Sequence, residues 1–340
     1  MARELRDQDL HCAIAQAAAV IGDWWSLLVV REVTRGHHRF EDLLAELGIS
    51  RKVLTERLKH LVDHDVLRRQ PYQTGPTRHE YMLTETGWAL APVLISMQDW
   101  ADRWLLADGS LTGSADPESA EARRAHGLAG MVIPAPLMLP ATLPSPGSTT
   151  HTSSLDVVGD RNATLPSLGS ATHTSSLDVV GDRNATVVFA YPSTGTPAPL
   201  PPYWSSVPGA IGCTLENRLF RDAASGFAAE GVAIHGVSTQ RPDEQEAFAR
   251  AEGITFPLLS DMDLRLAAAL RLPTFRAGQT LRLKRLILVV DASRVIRHVI
   301  YPVLDIPAAV AEAREVAGEV ANQGLRATPP YPSTKNRSAR

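Results

Sequence analysis

Cysteine is scarce in this chain of 340 residues: Cys12 and Cys213 are the only two. Two thiols cannot make a disulfide framework, so the fold has to rest on apolar burial, and a reducing compartment is expected. Long hydrophobic runs are missing too, and none reaches the roughly 20 residues that span a bilayer. The opening residues, MARELRDQDLH, are polar and hold no apolar stretch of the kind a secretory leader needs, so a cytoplasmic protein is expected. There is no excess of positive charge either. The formal net charge is −3, and residues 1–108 hold 13 Lys/Arg against 16 Asp/Glu. That excludes a protein coated in basic surface; phosphate contacts would have to come from local placement.

The length and the 44% hydrophobic content allow two domains with real cores. The most informative stretch runs from Gly36 to Leu83. Phe40, Leu43, Leu44 and Leu47 recur at helical spacing, and the run stops at Gly48, a helix C-cap signal. Ser50 then offers an N-cap oxygen to a second helix. There Leu54, Leu58 and Leu61 form one apolar stripe, with Lys52, Glu56 and Lys59 opposite. Two helices across a Gly-containing turn make a helix-turn-helix, whose second helix fits the major groove. Runs 66–69 and 79–84, separated by Pro71, Gly75 and Pro76, read as the strands of a β-hairpin wing. Within 51–69 the balance turns to 6 basic residues against 3 acidic.

Upstream, residues 10–35 read as two helices broken at Gly22-Asp23, the second carrying Trp24 and Trp25. With Cys12, VIGDWWSLLVVRE (19–32), RFEDLLAELGISRKVLTERLKHLVDHDVLRR (39–69) and YMLTETGWAL (81–90) in place, residues 10–106 resemble the HxlR family of winged-helix regulators. The resemblance implies a DNA-binding homodimer with its first and last helices at the dimer interface, the last being the apolar helix 88–106. One departure is Asp65, where the family usually has Gly; Asp tolerates the left-handed conformation better than most residues, so the turn is expected to survive. Lys52, Thr55, Glu56 and Lys59 are the candidates for groove contacts, and Ser50, Arg51, Arg57 and Arg78 for the DNA backbone, with Arg68 and Arg69 in the wing as further phosphate contacts. His60 and His64, four apart on a helix, have no third ligand in view, so no metal is expected.

Residues 109–164 turn rich in Ala, Gly, Ser and Pro and read as a linker, with a short helical piece near 117–131. The linker contains the first copy of a tandem repeat. LPSPGSTTHTSSLDVVGDRNAT (143–164) recurs at 165–186 with changes only at 146/168 and 149/171. Two copies are too few for a solenoid, so this is a duplicated segment, and the second copy, which runs into the strand VVFAY (187–191), is the structural one. Beyond it strands alternate with helices to about residue 322, an α/β pattern; 323–340 read as a disordered tail.

In VPGAIGCTLENRLFRD (207–222), Cys213 stands at the first turn of an expected helix, where free N–H groups and the helix dipole stabilise a thiolate. Arg285 is a second positive partner. An exposed thiolate of lowered pKa is what attack on a peroxide oxygen requires. FAYPSTGTP, PGAIGCTLENRLFRD, GVSTQRPDEQEAFARAEGITFPLLSD and KRLILVVDASRVIRHVIYPV resemble a thioredoxin-fold peroxiredoxin of the AhpC/TSA type over about 165–320. The resemblance makes Cys213 the peroxidatic cysteine, trailed by Thr214 and Glu216, Pro192 the proline of the active loop, and Arg285 the arginine that polarises the peroxide. Two departures stand out. Arg218 occupies the place where relatives often keep a resolving cysteine, which leaves a one-cysteine cycle whose reductant is an outside thiol or Cys12. Ala210 replaces the expected Thr, with Thr196 as a possible substitute. Cys12 is a candidate redox sensor.

The expected architecture is therefore multidomain: an N-terminal α+β winged helix-turn-helix (10–108) and a C-terminal α/β thioredoxin-like redoxin domain (165–322). The expected function is a redox-responsive DNA-binding regulator. The alternative is a thiol peroxidase that its winged-helix half merely localises or regulates. No cofactor is expected, and the linker suggests tethering more than tight coupling.

Overall fold

The computed structural model describes residues 9–74, 77–106, 116–143, 175–195, 204–207, 209–277 and 280–327. In the N-terminal half, α1 (Ala13–Ile21) and α2 (Trp24–Thr34) meet at a 76° bend where the Asp23 carboxylate caps α2, accepting from the Trp25 and Ser26 N–H groups. α3 (Phe40–Leu47) ends at Gly48, whose φ of 61° is the left-handed stop that its sequence announces. α4 (Arg51–Asp63) buries Leu54, Leu58 and Leu61 against Val29, Val30, Val33 and Leu43. Asp65 adopts φ 54°, so the turn after α4 survives without glycine. The wing is longer than its sequence suggests. β1 (Leu67–Thr74) and β2 (Thr77–Leu83) pair antiparallel, and a bulge at Pro71/Gln73 absorbs the missing proline donor. The expected helix 88–106 is instead α5 (Glu85–Trp88), α6 (Ala91–Ala101) and a π-helical turn over Asp102–Leu106.

The C-terminal half is built on a seven-stranded mixed sheet. In chain order its elements are α7 (Ala120–His126), β3 (Met138–Thr142), β4 (Ser175–Asp178), β5 (Ala185–Ala190), α8 (Cys213–Ala229), β6 (Val232–Ser238), α9 (Pro242–Glu252), β7 (Leu258–Ser260), α10 (Arg265–Leu270), the hairpin β8 (Thr274–Ala277) and β9 (Thr280–Leu283), β10 (Leu286–Asp291), β11 (Ile296–Ile300) and α11 (Ile306–Ala327). The sheet order is β11-β10-β5-β6-β7-β3-β4, parallel only at β5–β6 and β6–β7. Central strands buried on both faces read as continuous apolar runs. On β5, Val187 and Phe189 face a core with Phe220 and Phe227 of α8 and Ala313 of α11, while Val188 and Ala190 face a second core with Ala122 of α7 and Leu266 of α10.

Three expectations change here. The span 109–164 is not all linker: α7 and β3 are packed into the second core, and β3 bridges β7 to β4. The first repeat copy lies outside the described residues from 144 on, whereas the second supplies β4 and the first two residues of β5. Nor are the halves merely tethered. Ala91 and Ile95 of α6 belong to the same apolar cluster as Leu266 and Leu270, and three ion pairs cross the seam: Arg265–Glu85 at 2.6 Å, Arg271–Asp102 at 2.5 Å and Arg276–Asp99 at 3.1 Å. The beginning of the expected tail, 323–327, continues α11, and 328–340 lie outside the described residues. Among the described residues no single helix is long and apolar enough to cross a membrane.

Candidate functional site

Two sites stand on this scaffold. The first is the outer face of α4. The Ser50 hydroxyl accepts from the Val53 N–H at 3.3 Å and fixes the helix start, and Lys52, Thr55, Glu56 and Lys59 are exposed beyond it. Thr55 donates to the Arg51 carbonyl at 2.8 Å and Lys59 meets Asp63 at 2.6 Å. Arg51 holds Glu41 through two hydrogen bonds of 2.9 and 2.7 Å and lies over the Phe40 ring. Both partners of that pair are exposed, so solvent screens the bond and it exchanges readily for a phosphate. Arg57 is different. Its guanidinium meets Asp23 at 3.2 Å, tying α4 to the cap of α2. Arg78 is exposed on β2.

Between α3 and the wing lies a cleft of about 540 Å³ that the sequence does not disclose, lined by Arg39, Arg51, Arg69, Arg78, Tyr72 and His79 among others. Arg39 stacks over the Tyr72 ring at 4.6 Å and meets Glu80 at 3.1 Å, and Arg69 donates to His79 at 2.9 Å. The Nε2 of His60 lies 2.9 Å from the Val20 carbonyl oxygen.

The second site is where α8 starts. Gly212, at φ 96°, lets the chain turn into the helix, and a Cβ there would strike Ile306 at 2.5 Å. Cys213 is the first helical residue. Arg285, just ahead of β10, places Nη2 at 3.3 Å from its Sγ and donates to the Ile211 carbonyl at 3.0 Å, while Nη1 is hydrogen-bonded to Glu216 one turn along α8. Cys213, Arg285 and Glu216 are thus brought together, with buried Pro192 next to Ser193 on the loop after β5, and Thr214 half-buried on the same helical turn. Arg218 is indeed no thiol surrogate: it forms a two-bond pair with Glu252 at 2.6 and 2.9 Å. Cys12 is exposed ahead of α1.

The expectation of an exposed, acidified thiol needs correction. Cys213 is only 4% exposed. Burial pushes its thiol up, and the Arg285 charge and the Ser193 backbone N–H only partly offset that. Burial likewise raises the Glu216 carboxyl to about 7 against the pull of Arg285. At neutral pH the resting sulfur is therefore a thiol that donates to the Ala210 carbonyl at 3.6 Å. The rate of Cys213 alkylation by iodoacetamide is accordingly expected to rise through a midpoint above the ordinary value of about 8.5, measured by mass spectrometry across pH 6–10; a midpoint below 7 would refute this.

Sequence reading missed what shapes the loop. Thr196 lies outside the described residues, but Thr194 is locked in place. Its N–H and hydroxyl donate to Gln240 Oε1 at 2.7 and 3.1 Å, and Gln240 Nε2 returns a bond to the Thr194 carbonyl at 3.0 Å. Gln245 Nε2 meets Ser238 Oγ and the Leu259 carbonyl, both at 2.9 Å, behind buried Tyr191. In the sequence these are only two glutamines, one two residues ahead of α9 and one in its first turns, and nothing about their spacing marks the loop they hold.

The sequence pattern of the HxlR-like helix-turn-helix family matches residues 20–108, and that of the AhpC/TSA family matches 205–299. The uncharacterized HTH-type transcriptional regulator Rv3095 of Mycobacterium tuberculosis is 39% identical over 93 residues, which is 27% of this chain and 59% of that one. The chain thus spans about three fifths of that relative. The HTH-type transcriptional regulator YodB of Bacillus subtilis is 36% identical over 89 residues, 26% of this chain and 80% of YodB. Among solved structures, the peroxidoxin BcpB of Mycobacterium tuberculosis is 26% identical with a TM-score of 0.35, covering 44% of this chain and 87% of its own. With both patterns in sequence order and YodB covered over most of its length, the chain belongs to the HxlR-like helix-turn-helix family and carries an AhpC/TSA-family domain behind it.

Proposed function

We propose that this protein is a cytoplasmic, dimeric DNA-binding transcriptional regulator whose C-terminal domain reacts with peroxide at Cys213 and alters DNA binding in response. The observation that carries the reading is the capped α4, whose apolar face is fully buried while Lys52, Thr55, Glu56 and Lys59 project outward beside an Arg78-bearing wing. Dimerisation is supported by exposed Val93, Met97 and Trp100 at one-turn spacing on α6, continued by Trp104, with Ile14 exposed on α1. Ser50 and Arg51 are the backbone contacts. Lys52→Ala and Arg78→Ala are expected to weaken binding to the promoter fragment and to lower the salt slope by about 1 each, in fluorescence anisotropy at several salt concentrations. A slope unchanged in both variants would sink the assignment of this face.

The redox part rests on the Cys213–Arg285 contact and on the docking of the two halves through α6 and α10. Peroxide would take the Cys213 sulfur to a sulfenic acid, releasing water, and an external thiol would return it. Wild type treated with one equivalent of peroxide should change DNA affinity at least severalfold, and Cys213→Ser should not respond. Sustained peroxide consumption with a thiol reductant, and no change in DNA affinity, would favour the peroxidase reading. Cys12→Ser separates any contribution of the exposed thiol.

A further inference from the structure

A cleft of about 680 Å³ opens where the two halves meet. Its polar wall comes from both of them: Arg35, which caps the end of α2, and Arg271, which caps the end of α10, with Arg124 of α7 and Arg294 beside them. Its apolar wall includes Leu128, Met131 and Leu270.

The charges in this cleft are unevenly met. Glu32, nearly fully buried, accepts from Arg31 at 2.6 Å and Arg35 at 3.2 Å on one oxygen and faces His37 at 3.0 Å on the other. Arg271 reaches Asp102 at 2.5 Å, a carboxylate that Arg124 approaches at 3.9 Å. Arg294 is held separately by Asp178 at 2.8 and 2.9 Å. Burial pulls the Arg35 guanidinium below its usual range against the pull of Glu32, with the Arg31 and Arg271 charges adding to the effect of burial. The Nε of Arg271 is buried with no acceptor among the described residues.

Glu32, His37 and Glu46 could instead suggest a cation, since their ligand atoms lie within 4.8 Å of one another. A divalent ion there would have to sit against the guanidiniums that already hold Glu32, so charge argues for the opposite sign.

We propose that this cleft binds a small organic anion with an apolar body, its charged end between Arg35 and Arg271 and its body against Leu128, Met131 and Leu270. A carboxylate or phosphate oxygen there would accept charge-assisted bonds from two guanidiniums, while the body rests on the partly exposed Met131 beside Leu128 and Leu270. An occupant touches the α2–α3 connection and the redoxin domain at once. The site shares no residue with α4's outer face or with Cys213, so it stands apart from the reading of either.

The test is calorimetric titration of the full-length protein with 4-phenylbutyrate and with its neutral counterpart 4-phenylbutan-1-ol, at constant ionic strength. Saturable one-to-one binding of the acid, at least about tenfold tighter than the alcohol, is expected. Arg35→Gln and Arg271→Gln should each weaken the acid about tenfold and leave the alcohol unchanged. Since Arg271 also holds Asp102, Arg35→Gln carries the test if Arg271→Gln does not fold. Equal binding of acid and alcohol, acid binding unaffected in Arg35→Gln, or no saturable binding of the acid up to 10 mM, on the order of the weakest specific affinities, would each overturn the proposal.

Discussion

Replacing Arg285 by leucine is expected to abolish the reaction of Cys213 with peroxide and to destabilise the C-terminal half by about 3–5 kcal/mol, with a larger loss at pH 8.5 than at pH 6. Arg285 is fully buried and serves the Cys213 sulfur, the Ile211 carbonyl and the Glu216 carboxylate together. Without it the sulfur loses the charge that opposes desolvation, and a peroxide loses its donor. Glu216 is then left in a site with no exposure. Its carboxyl titrates near 7 in the intact pair, above the unfolded value of about 4.3, and would move higher without Arg285. A raised carboxyl gives stability that is complete at low pH and drains away as pH rises through the folded value. The gap between variant and wild type therefore opens above pH 7. Urea unfolding followed by circular dichroism at both pH values measures it. Arg285→Leu combined with Glu216→Leu removes both charges and should recover most of the loss, keeping the test usable if the single variant does not fold. A pH-independent loss, or a double variant no better than the single one, would contradict the argument.

Ile95→Ala is expected to cost about 2–5 kcal/mol and to split one unfolding transition into two. Ile95 belongs to the winged-helix half by sequence, yet it is 2% exposed because α10 covers it. Removing three carbons there leaves a void in the seam that neither half alone can close. Wild type should unfold in a single urea transition, coincident by tryptophan fluorescence and circular dichroism, and the variant should lose the coincidence. Two separated transitions in wild type would mean that the seam contributes little.

The elements legible in the sequence are those whose pattern is local. Leu54, Leu58 and Leu61 announce α4 because a single face is buried, and the apolar run of β5 announces a central strand. Gly48 and Ser50 mark helix ends by backbone chemistry that does not depend on the rest of the chain. Cys213 and Arg285 were legible as types in a motif, but not their burial, which depends on how distant segments pack over α8. β3 reads as linker in the sequence because Pro140 and its Pro-rich flanks hide a strand that needs only two pairings to β7. The seam was unreadable for the same reason: Ile95 looks like any apolar helix position until α10 arrives from 170 residues away. The Arg57–Asp23 pair is equally hidden in the sequence, because Asp23 comes from the cap of another helix.

Next to the Cys213–Arg285 contact in the sequence stands a second buried cation. Lys284, the residue before Arg285, is also buried, and its ammonium is held by Glu121 of α7 at 2.7 and 2.8 Å, with Tyr301 donating to the same carboxylate. This makes the redoxin half larger than its recognisable motif. A fragment cut at residue 165 would strip β7 of its neighbour β3, open the core over Leu139, and take from a buried lysine the Glu121 carboxylate that holds it. The smallest piece to express alone begins ahead of Ser119, the cap of α7. Whoever divides the gene should cut on the winged-helix side of that serine, where the chain leaves the π-helical turn.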